Sequence, residues 1–176
     1  MKLAFGYKMR VAKDTSVDYL ISKYGGQKIT FAKPLYDALY SVQDIFNLEK
    51  GKDRKFLQMI GDWAREKDDN IFVNLALNSP KDCDLDYNKT VQFNGNIYCN
   101  DLRFMIEYKA LKKDGWKCIK INRNTGLENN ESKGGNHRSE TELDILEDHD
   151  WDYIIDNNGS FEDLYIKLDE IVKKFN

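Results

Sequence analysis

Short apolar runs alternate with segments of helical hydrophobic spacing along this chain, and this alternation limits the fold more than any other feature. The runs that predict strands are 2–5, 28–32, 96–100, 116–121 and 153–155. Helical spacing, with start or stop signals at Gly25, Pro34 and Gly115, predicts helices near 17–24, 34–47, 56–64, 104–115 and 161–175. Strands that alternate with helices imply a parallel sheet covered on both faces. We therefore predict an α/β fold with three layers, α/β/α, around a central parallel sheet.

The chain is predicted to form a single domain, 1–176. It has no internal repeat and no long Pro/Ser linker, and its 176 residues suffice to bury one core. Two polar stretches without apolar periodicity, 78–95 and 122–140, predict loops. We expect the stretch 122–140 to be a mobile lid, because long loops of this kind often carry function.

Composition argues against several classes of protein. The net charge of −3 argues against nucleic-acid binding, which usually needs a basic face. No apolar stretch is long enough to cross a bilayer, and the N-terminus lacks the apolar region of a secretion signal. The three cysteines, Cys83, Cys99 and Cys118, form no CxxC pair, which argues against a disulfide framework or a zinc site. We expect a cytoplasmic protein with no membrane contact and no stable nucleic-acid partner.

The segment 6–15, GYKMRVAKDT, carries the main chemical signal because it joins the first predicted strand to the first predicted helix. In that position backbone N–H groups and a helix N-terminus can wrap a triphosphate, and a lysine can bridge its β- and γ-phosphates. Lys13 stands at the lysine position. The match to G-x-x-x-x-G-K-[ST] is imperfect: the first glycine lies one residue too far upstream, Ala12 replaces the second, and Asp14 replaces Ser or Thr. On this motif alone, an ordinary strand-to-helix loop with surface lysines stays an alternative.

The same segment resembles the loop of the phage and large-DNA-virus deoxynucleoside monophosphate kinases, whose pattern is G-x-K-x-R-x-G-K-D-T. The residues in register with it are Gly6, Lys8, Arg10, Lys13, Asp14 and Thr15. Ala12 departs from the pattern, and alanine is expected to be tolerated there if its φ is negative.

Further motifs similar to those of this family follow in order. They are F-A-x-P-L at 31–35, an R…L-Q-x-x-G-x-x-x-R helix at 54–65 with a small change of spacing, D-x-R-F-x-x-E at 101–107, H-R-S-E at 137–140 and N-x-G-S at 157–160. The resemblance covers almost the whole chain. It implies an adenylate-kinase-like P-loop fold and ATP-dependent, Mg²⁺-assisted phosphorylation of a (deoxy)nucleoside monophosphate. It also implies a viral protein, a preference for deoxynucleotides, and a homodimer as an assembly open to the family.

Phosphoryl transfer needs positioning and charge neutralisation more than covalent help, which assigns roles to the charged residues. Lys13 should hold the β- and γ-phosphates of ATP. Arg54, Arg65 and Arg103 should clamp the acceptor phosphate, because a guanidinium binds phosphate through two hydrogen bonds. A surface salt bridge is the alternative for each arginine. The residues expected to line the ATP site are Gly6, Lys8, Arg10, Ala12, Lys13, Asp14, Thr15 and Arg123.

Asp101 directly follows a predicted buried strand, where ligands bind in open α/β sheets. It should anchor Mg²⁺ through water or orient the acceptor sugar, with Asp14 or Thr15 as the other Mg²⁺ contact. Capping of a helix that starts near residue 102 is its alternative role. Arg123 begins the expected lid and should stack on adenine or reach a phosphate, while Arg138 ends it and should reach the transferred group. If the stretch is a surface insertion, neither Arg123 nor Arg138 takes part in binding or catalysis.

The acceptor base is expected to contact Phe31, Leu35, Gln58 and Trp63, with the Gln58 amide reading a base edge. Core packing is the alternative for Trp63, because aromatic residues at helical spacing are more often core. His137 and His149 are too isolated for a catalytic triad or a metal cluster, and His137 is expected to position the lid.

Two other functions stay open at this stage. One is a kinase of another small phosphorylated metabolite, such as dephospho-coenzyme A, because a fold does not determine the acceptor. The other is a non-catalytic nucleotide-binding module, which Ala12 favours and the lysine and arginines oppose.

Overall fold

The computed structural model describes residues 1–78, 95–124 and 137–175 of the chain. Its strands are β1 (Lys2–Gly6), β2 (Gln27–Ile29), β3 (Ile97–Leu102), β4 (Lys117–Asn122) and β5 (Tyr153–Asp156). Its α-helices are α1 (Lys13–Tyr24), α2 (Lys33–Ile45), α3 (Arg54–Lys67), α4 (Ile71–Val73), α5 (Met105–Lys113), α6 (Arg138–Thr141) and α7 (Phe161–Phe175). A π-helical turn, Asn74–Asn78, follows α4, and two 3₁₀ turns, Glu142–Ile145 and Asp148–Asp150, precede β5.

The five strands form one sheet in the order β2-β3-β1-β4-β5, and all neighbouring strands are parallel. Strand β1 lies at the centre, with Ala4 between Cys99 of β3 and Cys118 of β4. Helices flank this sheet, as expected where parallel strands are joined by crossovers. The predicted α/β class and the parallel sheet are confirmed.

The described residues divide into two compact units. The first unit contains residues 1–29 and 95–175 and therefore holds the whole sheet. The second unit contains residues 30–78, with α2, α3 and α4. Among the described residues, no helix combines the length and the apolar character needed to cross a bilayer.

The core of the first unit joins the first and last parts of the chain. Apolar side chains from the sheet pack with those of α1 and α7; the buried members are Leu3, Phe5, Val11, Val17, Leu20, Tyr98, Ile119, Ile121, Ile155, Leu164, Leu168, Ile171 and Val172. At the surface, the Tyr19 and Tyr165 rings stack with centroids 4.1 Å apart. The Asp169 carboxylate on α7 accepts hydrogen bonds from Tyr19, Lys23 and Tyr24 of α1. These contacts hold α1 against α7.

Local signals placed three helix ends correctly, whereas α1 begins at Lys13 rather than near 17. Ser160 and Asp163 form the expected capping box before α7: the Asp163 carboxylate accepts from Ser160 N at 2.9 Å, and Ser160 Oγ accepts from Asp163 N at 3.1 Å. Gly25, with φ of 65°, ends α1, and Pro34 lies in the first turn of α2.

Several predicted boundaries are wrong. Strand β2 ends at Ile29 rather than 32, because a turn closed by Lys33 N and Thr30 O leads into α2. Strand β3 runs to Leu102, two residues past the predicted end. Both ends of the predicted loop 122–140 are also wrong, since Asn122 pairs with Asp156 in the sheet and residues 138–140 belong to α6. Residues 79–94 and 125–136, which include most of both predicted loops and the expected lid, lie outside the described residues.

The second unit is built on α2 and α3. The buried Gln43 amide bonds both backbone groups of Gly51, donating to its O at 2.8 Å and accepting from its N at 3.2 Å. Asp53 caps α3 by accepting from Phe56 N at 2.9 Å. These contacts fix the connection between the two helices.

Candidate functional site

The loop of residues 7–12 between β1 and α1, here called the β1–α1 loop, has an unusual backbone. Tyr7, Arg10 and Ala12 have positive φ angles of 87°, 60° and 76°. Non-glycine residues in the left-handed region cost roughly 1–2 kcal/mol each and occur mainly where the surrounding structure imposes them. Left-handed residues among right-handed ones also turn neighbouring N–H groups to one side, which is how backbone anion-binding nests form. The loop therefore stores backbone strain, which is common at ligand sites.

The condition under which alanine is expected to be tolerated at position 12, a negative φ, is not met. Its φ is 76° and its ψ is 32°, so it adopts the conformation that a glycine would adopt at lower cost. The Ala12 carbonyl begins α1: it accepts from Ser16 Oγ at 2.9 Å and from Ser16 N at 3.0 Å, and these bonds help to hold this backbone conformation.

Lys13 directs its amine into the β1–α1 loop. The residue is only 6% exposed, and its Nζ donates to Tyr7 O at 3.2 Å and to Lys8 O. Burial lowers the pKa of Lys13 to about 7, and the positive charge of Arg103 contributes to this. The Glu140, Asp101 and Asp14 carboxylates act in the opposite direction on this pKa. Lys13 is thus a desolvated amine at the start of a helix, near one positive and three negative side chains.

Two side chains from distant parts of the chain hold the β1–α1 loop. Asn157, which is 4% exposed, donates from Nδ2 to Val11 O at 3.0 Å. The Glu140 carboxylate accepts from Met9 N at 2.8 Å. The sequence interpretation did not assign a role to either residue. Their positions inside the H-R-S-E and N-x-G-S motifs were the only available signal.

The carboxyl end of β3 brings further predicted residues near Lys13. Asn100 donates from Nδ2 to the Asp14 carboxylate, and Asp101 accepts from Cys99 Sγ at 3.4 Å. Asp101 lies within β3 rather than after it, and the predicted capping role is wrong: α5 begins at Met105, with Phe104 as N-cap. The Glu107 carboxylate instead accepts from the backbone N–H groups of Arg103 and Phe104, at 2.9 and 3.1 Å.

Arg103 follows β3 directly and points toward α6. Its guanidinium pairs with the Glu140 carboxylate and lies 3.4 Å from Ser139 O. Because its charge lowers the pKa of Lys13, Arg103 is electrostatically part of the same site. The first unit therefore brings together Lys13, Asp14, Asp101 and Arg103, four of the predicted site residues.

Two further basic residues of the predicted site, Lys8 and Arg138, are also paired with carboxylates. Lys8 Nζ donates to both Asp144 oxygens, at 2.5 and 2.6 Å, and to Glu140 O at 2.7 Å. Arg138 pairs with Glu142 and lies over the Phe104 ring at 5.6 Å. Arg10 and Arg123 are exposed, and Thr15 is half-buried in the first turn of α1. Lys8 thus binds the segment after α6 in this state.

The chain is similar to a protein from Ictalurid herpesvirus 1 (strain Auburn) that carries the description "Uncharacterized protein ORF77". The two are 34% identical over 152 residues, which make up 83% of this chain and 60% of that protein. The chain thus spans about 60% of the length of this curated relative. No protein-family model matches the chain.

The residues predicted to bind the acceptor, apart from Arg103, lie in the second unit. Trp63 is 56% exposed on α3, so its alternative role in the core is wrong. Phe31 is buried, while Leu35, Arg54 and Gln58 are half-buried. The Arg65 guanidinium lies over the Phe72 ring at 4.5 Å, which positions it within this unit by cation–π attraction.

The two histidines have local contacts. His137 is the N-cap of α6 and accepts from Ser139 N at 3.2 Å through Nδ1. His149 is exposed, 3.3 Å from Glu147. In the part of the chain that the structure describes, no group of three or more His, Cys, Asp or Glu side chains could hold a metal ion by itself. A divalent cation at Asp14 and Asp101 would therefore need ligands from water and substrate.

Proposed function

We propose that this chain is a P-loop kinase that transfers the γ-phosphoryl group of ATP to a (deoxy)nucleoside monophosphate. The observation that carries the proposal is the Lys13 amine, buried inside a loop of left-handed residues at the N-terminus of α1. A phosphate in this loop would replace backbone carbonyls as the partner of that amine. The gain in charge pairing would stabilise the protonated lysine.

The donor side of the reaction follows from the first turn of α1. The N–H groups of Lys13, Asp14 and Thr15 have no acceptor within the helix because of their position. They carry the positive end of the helix dipole, which favours the β- and γ-phosphates of ATP. Arg10, exposed at the surface of the loop, adds positive charge beside them.

The side chains around Lys13 fit Mg²⁺ as it binds with nucleotides. Mg²⁺ typically takes one or two carboxylates and completes its octahedron with water and phosphate oxygens. Asp14, Thr15 and Asp101 supply hard oxygen atoms of this kind, and Asn100 orients the Asp14 carboxylate. In this role Mg²⁺ supplies charge neutralisation at the phosphates.

In the proposed reaction an oxygen of the acceptor monophosphate attacks the γ-phosphorus of ATP in line. The bond from that phosphorus to the β–γ bridging oxygen breaks, leaving ADP and a nucleoside diphosphate. Arg103 would neutralise charge on the transferred group, and Arg54 and Arg65 would hold the acceptor phosphate. Gln58, Trp63, Phe31 and Leu35 are the proposed base contacts. The deoxynucleotide preference, viral origin and homodimer rest on the resemblance and belong to this proposal.

The direct test is a panel assay. Purified protein is incubated with ATP, Mg²⁺ and each of the common nucleoside and deoxynucleoside monophosphates, with dephospho-coenzyme A as an additional acceptor, and ADP formation is followed. We expect ADP formation with one or more deoxynucleoside monophosphates. Activity with dephospho-coenzyme A alone would change the acceptor class. ATP binding without transfer to any acceptor would identify a non-catalytic module.

The first prediction concerns the lysine. Lys13→Ala removes the charge that stabilises the transferring phosphoryl group, so kcat should fall at least about 100-fold while acceptor binding is largely retained. Steady-state kinetics and calorimetric titration with the monophosphate measure the two effects. Lys173→Ala, at an exposed position of α7, is the matched control and should behave as wild type. Unchanged turnover in Lys13→Ala would remove Lys13 from the mechanism.

A further inference from the structure

The two oxygens of the Glu140 carboxylate contact two different parts of the first unit. One accepts from Met9 N in the β1–α1 loop at 2.8 Å, and the other pairs with the Arg103 guanidinium that follows β3. The Glu140 side chain is only 8% exposed. A buried carboxylate of this kind needs good partners, since an isolated buried charge is costly.

The backbone of Glu140 is fixed as well as its side chain. Glu140 N donates to His137 O at 2.8 Å in α6, and Glu140 O accepts from Lys8 Nζ at 2.7 Å. Lys8 is itself held by Asp144. The α6 segment therefore contacts the β1–α1 loop at two neighbouring residues, 8 and 9.

Glu140 contacts the upstream part of the β1–α1 loop rather than its junction with α1. Met9 lies upstream in the loop, whereas the N–H groups that open α1 belong to residues 13–15. The Val11 carbonyl between them is bound by Asn157 on a different element. Glu140 therefore anchors the upstream part of the loop and leaves the helix N-terminus for an anion.

We propose that Glu140 is a positioning residue that connects the β1–α1 loop to Arg103. Its carboxylate keeps the loop that binds ATP and the arginine that neutralises the transferred phosphoryl group at a fixed distance from each other. This inference rests on the proposed kinase function. Arg103 has a long side chain, and the fixed carboxylate limits the conformations it samples. The same carboxylate offsets repulsion between Arg103 and Lys13, two cations that act on one substrate group.

The test compares Glu140→Gln with Glu147→Gln. Glu147 undergoes the same chemical change at an exposed site, where it lies beside His149. Glu140→Gln should lower kcat/KM for the monophosphate about 100-fold, the loss expected when reacting groups are misplaced by about 1 Å. Its ATP dissociation constant should stay within about threefold of wild type, because the amide oxygen of the glutamine can still accept from Met9 N and keep the loop anchored, while Lys13 and α1 still bind phosphate. Glu147→Gln should match wild type in both. Tighter ATP binding by Glu140→Gln would overturn the proposal, because the carboxylate would then be a competitor of phosphate.

A double-mutant cycle separates positioning from a general structural effect. Because Glu140 acts through Arg103, adding Glu140→Gln to Arg103→Lys should cause little further loss of kcat/KM. If the loss of kcat/KM in the double variant equals the product of the losses in the two single variants, the two residues act independently and the proposal is overturned. If Glu140→Gln does not fold, as judged by circular dichroism, Glu140→Asp keeps the charge, is too short to reach both partners, and carries the same test.

A chemical readout keeps the inference independent of activity. Phenylglyoxal modifies accessible guanidinium groups, and mass spectrometry reports the rate at Arg103. We expect slow modification in wild type and Glu147→Gln and several-fold faster modification in Glu140→Gln. One outcome is that wild type phosphorylates no monophosphate while its Arg103 is still modified more slowly than in Glu140→Gln. That result would overturn the proposed kinase function and support the positioning role of Glu140. If wild type is an active kinase, but Glu140→Gln and Glu147→Gln have the same kcat/KM and the same rate of Arg103 modification, only the positioning role of Glu140 is overturned.

Discussion

At the scale of single residues, Gly6 is the first glycine of the phosphate-loop pattern, and it is also a position where packing leaves no room for a side chain. A Cβ added at Gly6 would lie 2.8 and 2.9 Å from two carbons of the Trp151 ring and 3.2 Å from Leu102 Cδ2. Trp151 and Leu102 are both buried, so neither has room to move. The glycine at the end of β1 is thus required by close packing, whatever its relation to a phosphate.

The second prediction follows from this contact. Gly6→Ala should lower the free energy of unfolding by about 1–3 kcal/mol, because overpacking forces the Trp151 ring or the strand to shift. Urea denaturation followed by circular dichroism measures the change. Gly51→Ala is the matched control, since nothing lies within 4 Å of a Cβ at Gly51, and it should stay within about 0.5 kcal/mol of wild type. Equal stabilities of the two variants would contradict this account.

The third prediction concerns the pH dependence of nucleotide binding. The pKa of Lys13 is about 7, well below its usual range, so the free protein holds a mostly neutral amine at pH 8. A bound polyphosphate favours the charged form and raises this pKa, so binding takes up a proton. ATP affinity should therefore fall as pH rises above 7, approaching tenfold per pH unit. Calorimetric titrations between pH 7 and 9 measure it.

The matched variant for the pH series is Lys13→Ala. Its ATP affinity should be weaker but independent of pH over this range, because the titrating amine is absent. A wild-type dissociation constant that does not change between pH 7 and 9 would show that Lys13 does not gain a proton on binding.

At the scale of structural elements, the β1–α1 loop is held by two elements that lie far away in sequence. Asn157, in the turn between β5 and α7, donates to Val11 O, while α6 contributes Glu140. The strained φ angles of the loop persist because these contacts determine its conformation from both sides. The conformation of the loop therefore depends on Asn157 and Glu140 together.

The fourth prediction tests this support. Asn157→Ala removes the donor to Val11 O and leaves a buried carbonyl unsatisfied, which should cost about 1–3 kcal/mol in the free energy of unfolding. ATP affinity should fall as well, because the loop loses an anchor. Asn158→Ala, at a neighbouring position whose hydrogen bonds with Asn124 N and Asp156 are exposed to water, should cost less, at most about 1 kcal/mol. Urea denaturation measures the free energy of unfolding of both variants, and calorimetric titration measures their ATP affinity. Equal values for Asn157→Ala and Asn158→Ala would contradict the prediction.

At the scale of the whole molecule, the first unit closes by packing α7, at the end of the chain, onto β1 and α1 at its beginning. The fifth prediction uses two neighbouring positions of α7. Leu168 is fully buried in the core, so Leu168→Ala should cost about 2–5 kcal/mol in the free energy of unfolding. Ile166 is 59% exposed, and Ile166→Ala should change stability by no more than about 0.5 kcal/mol. Urea denaturation distinguishes them, and similar losses would place α7 outside the core.

The fold class could be predicted from the sequence because its signals are local. Alternating apolar runs and helical spacing gave the parallel α/β arrangement, and the Ser160–Asp163 pair and Gly25 gave helix ends within a few residues. The expected lid and the first long loop lie largely outside the described residues, so both stay predictions. The kinase activity, its acceptor and its cofactors also stay predictions.

The sequence by itself therefore determined the five strands, the five longer helices and the lysine that opens α1, because strand, helix and cap signals act over a few neighbouring residues. Only the tertiary structure decided the strand order, the place of Asp101 within β3, the left-handed Ala12 and the supports of the β1–α1 loop. Glu140 is 131 residues from Met9 in sequence, and Asn157 is 146 residues from Val11. Contacts over such separations depend on how the sheet and helices pack, and no local pattern encodes that packing.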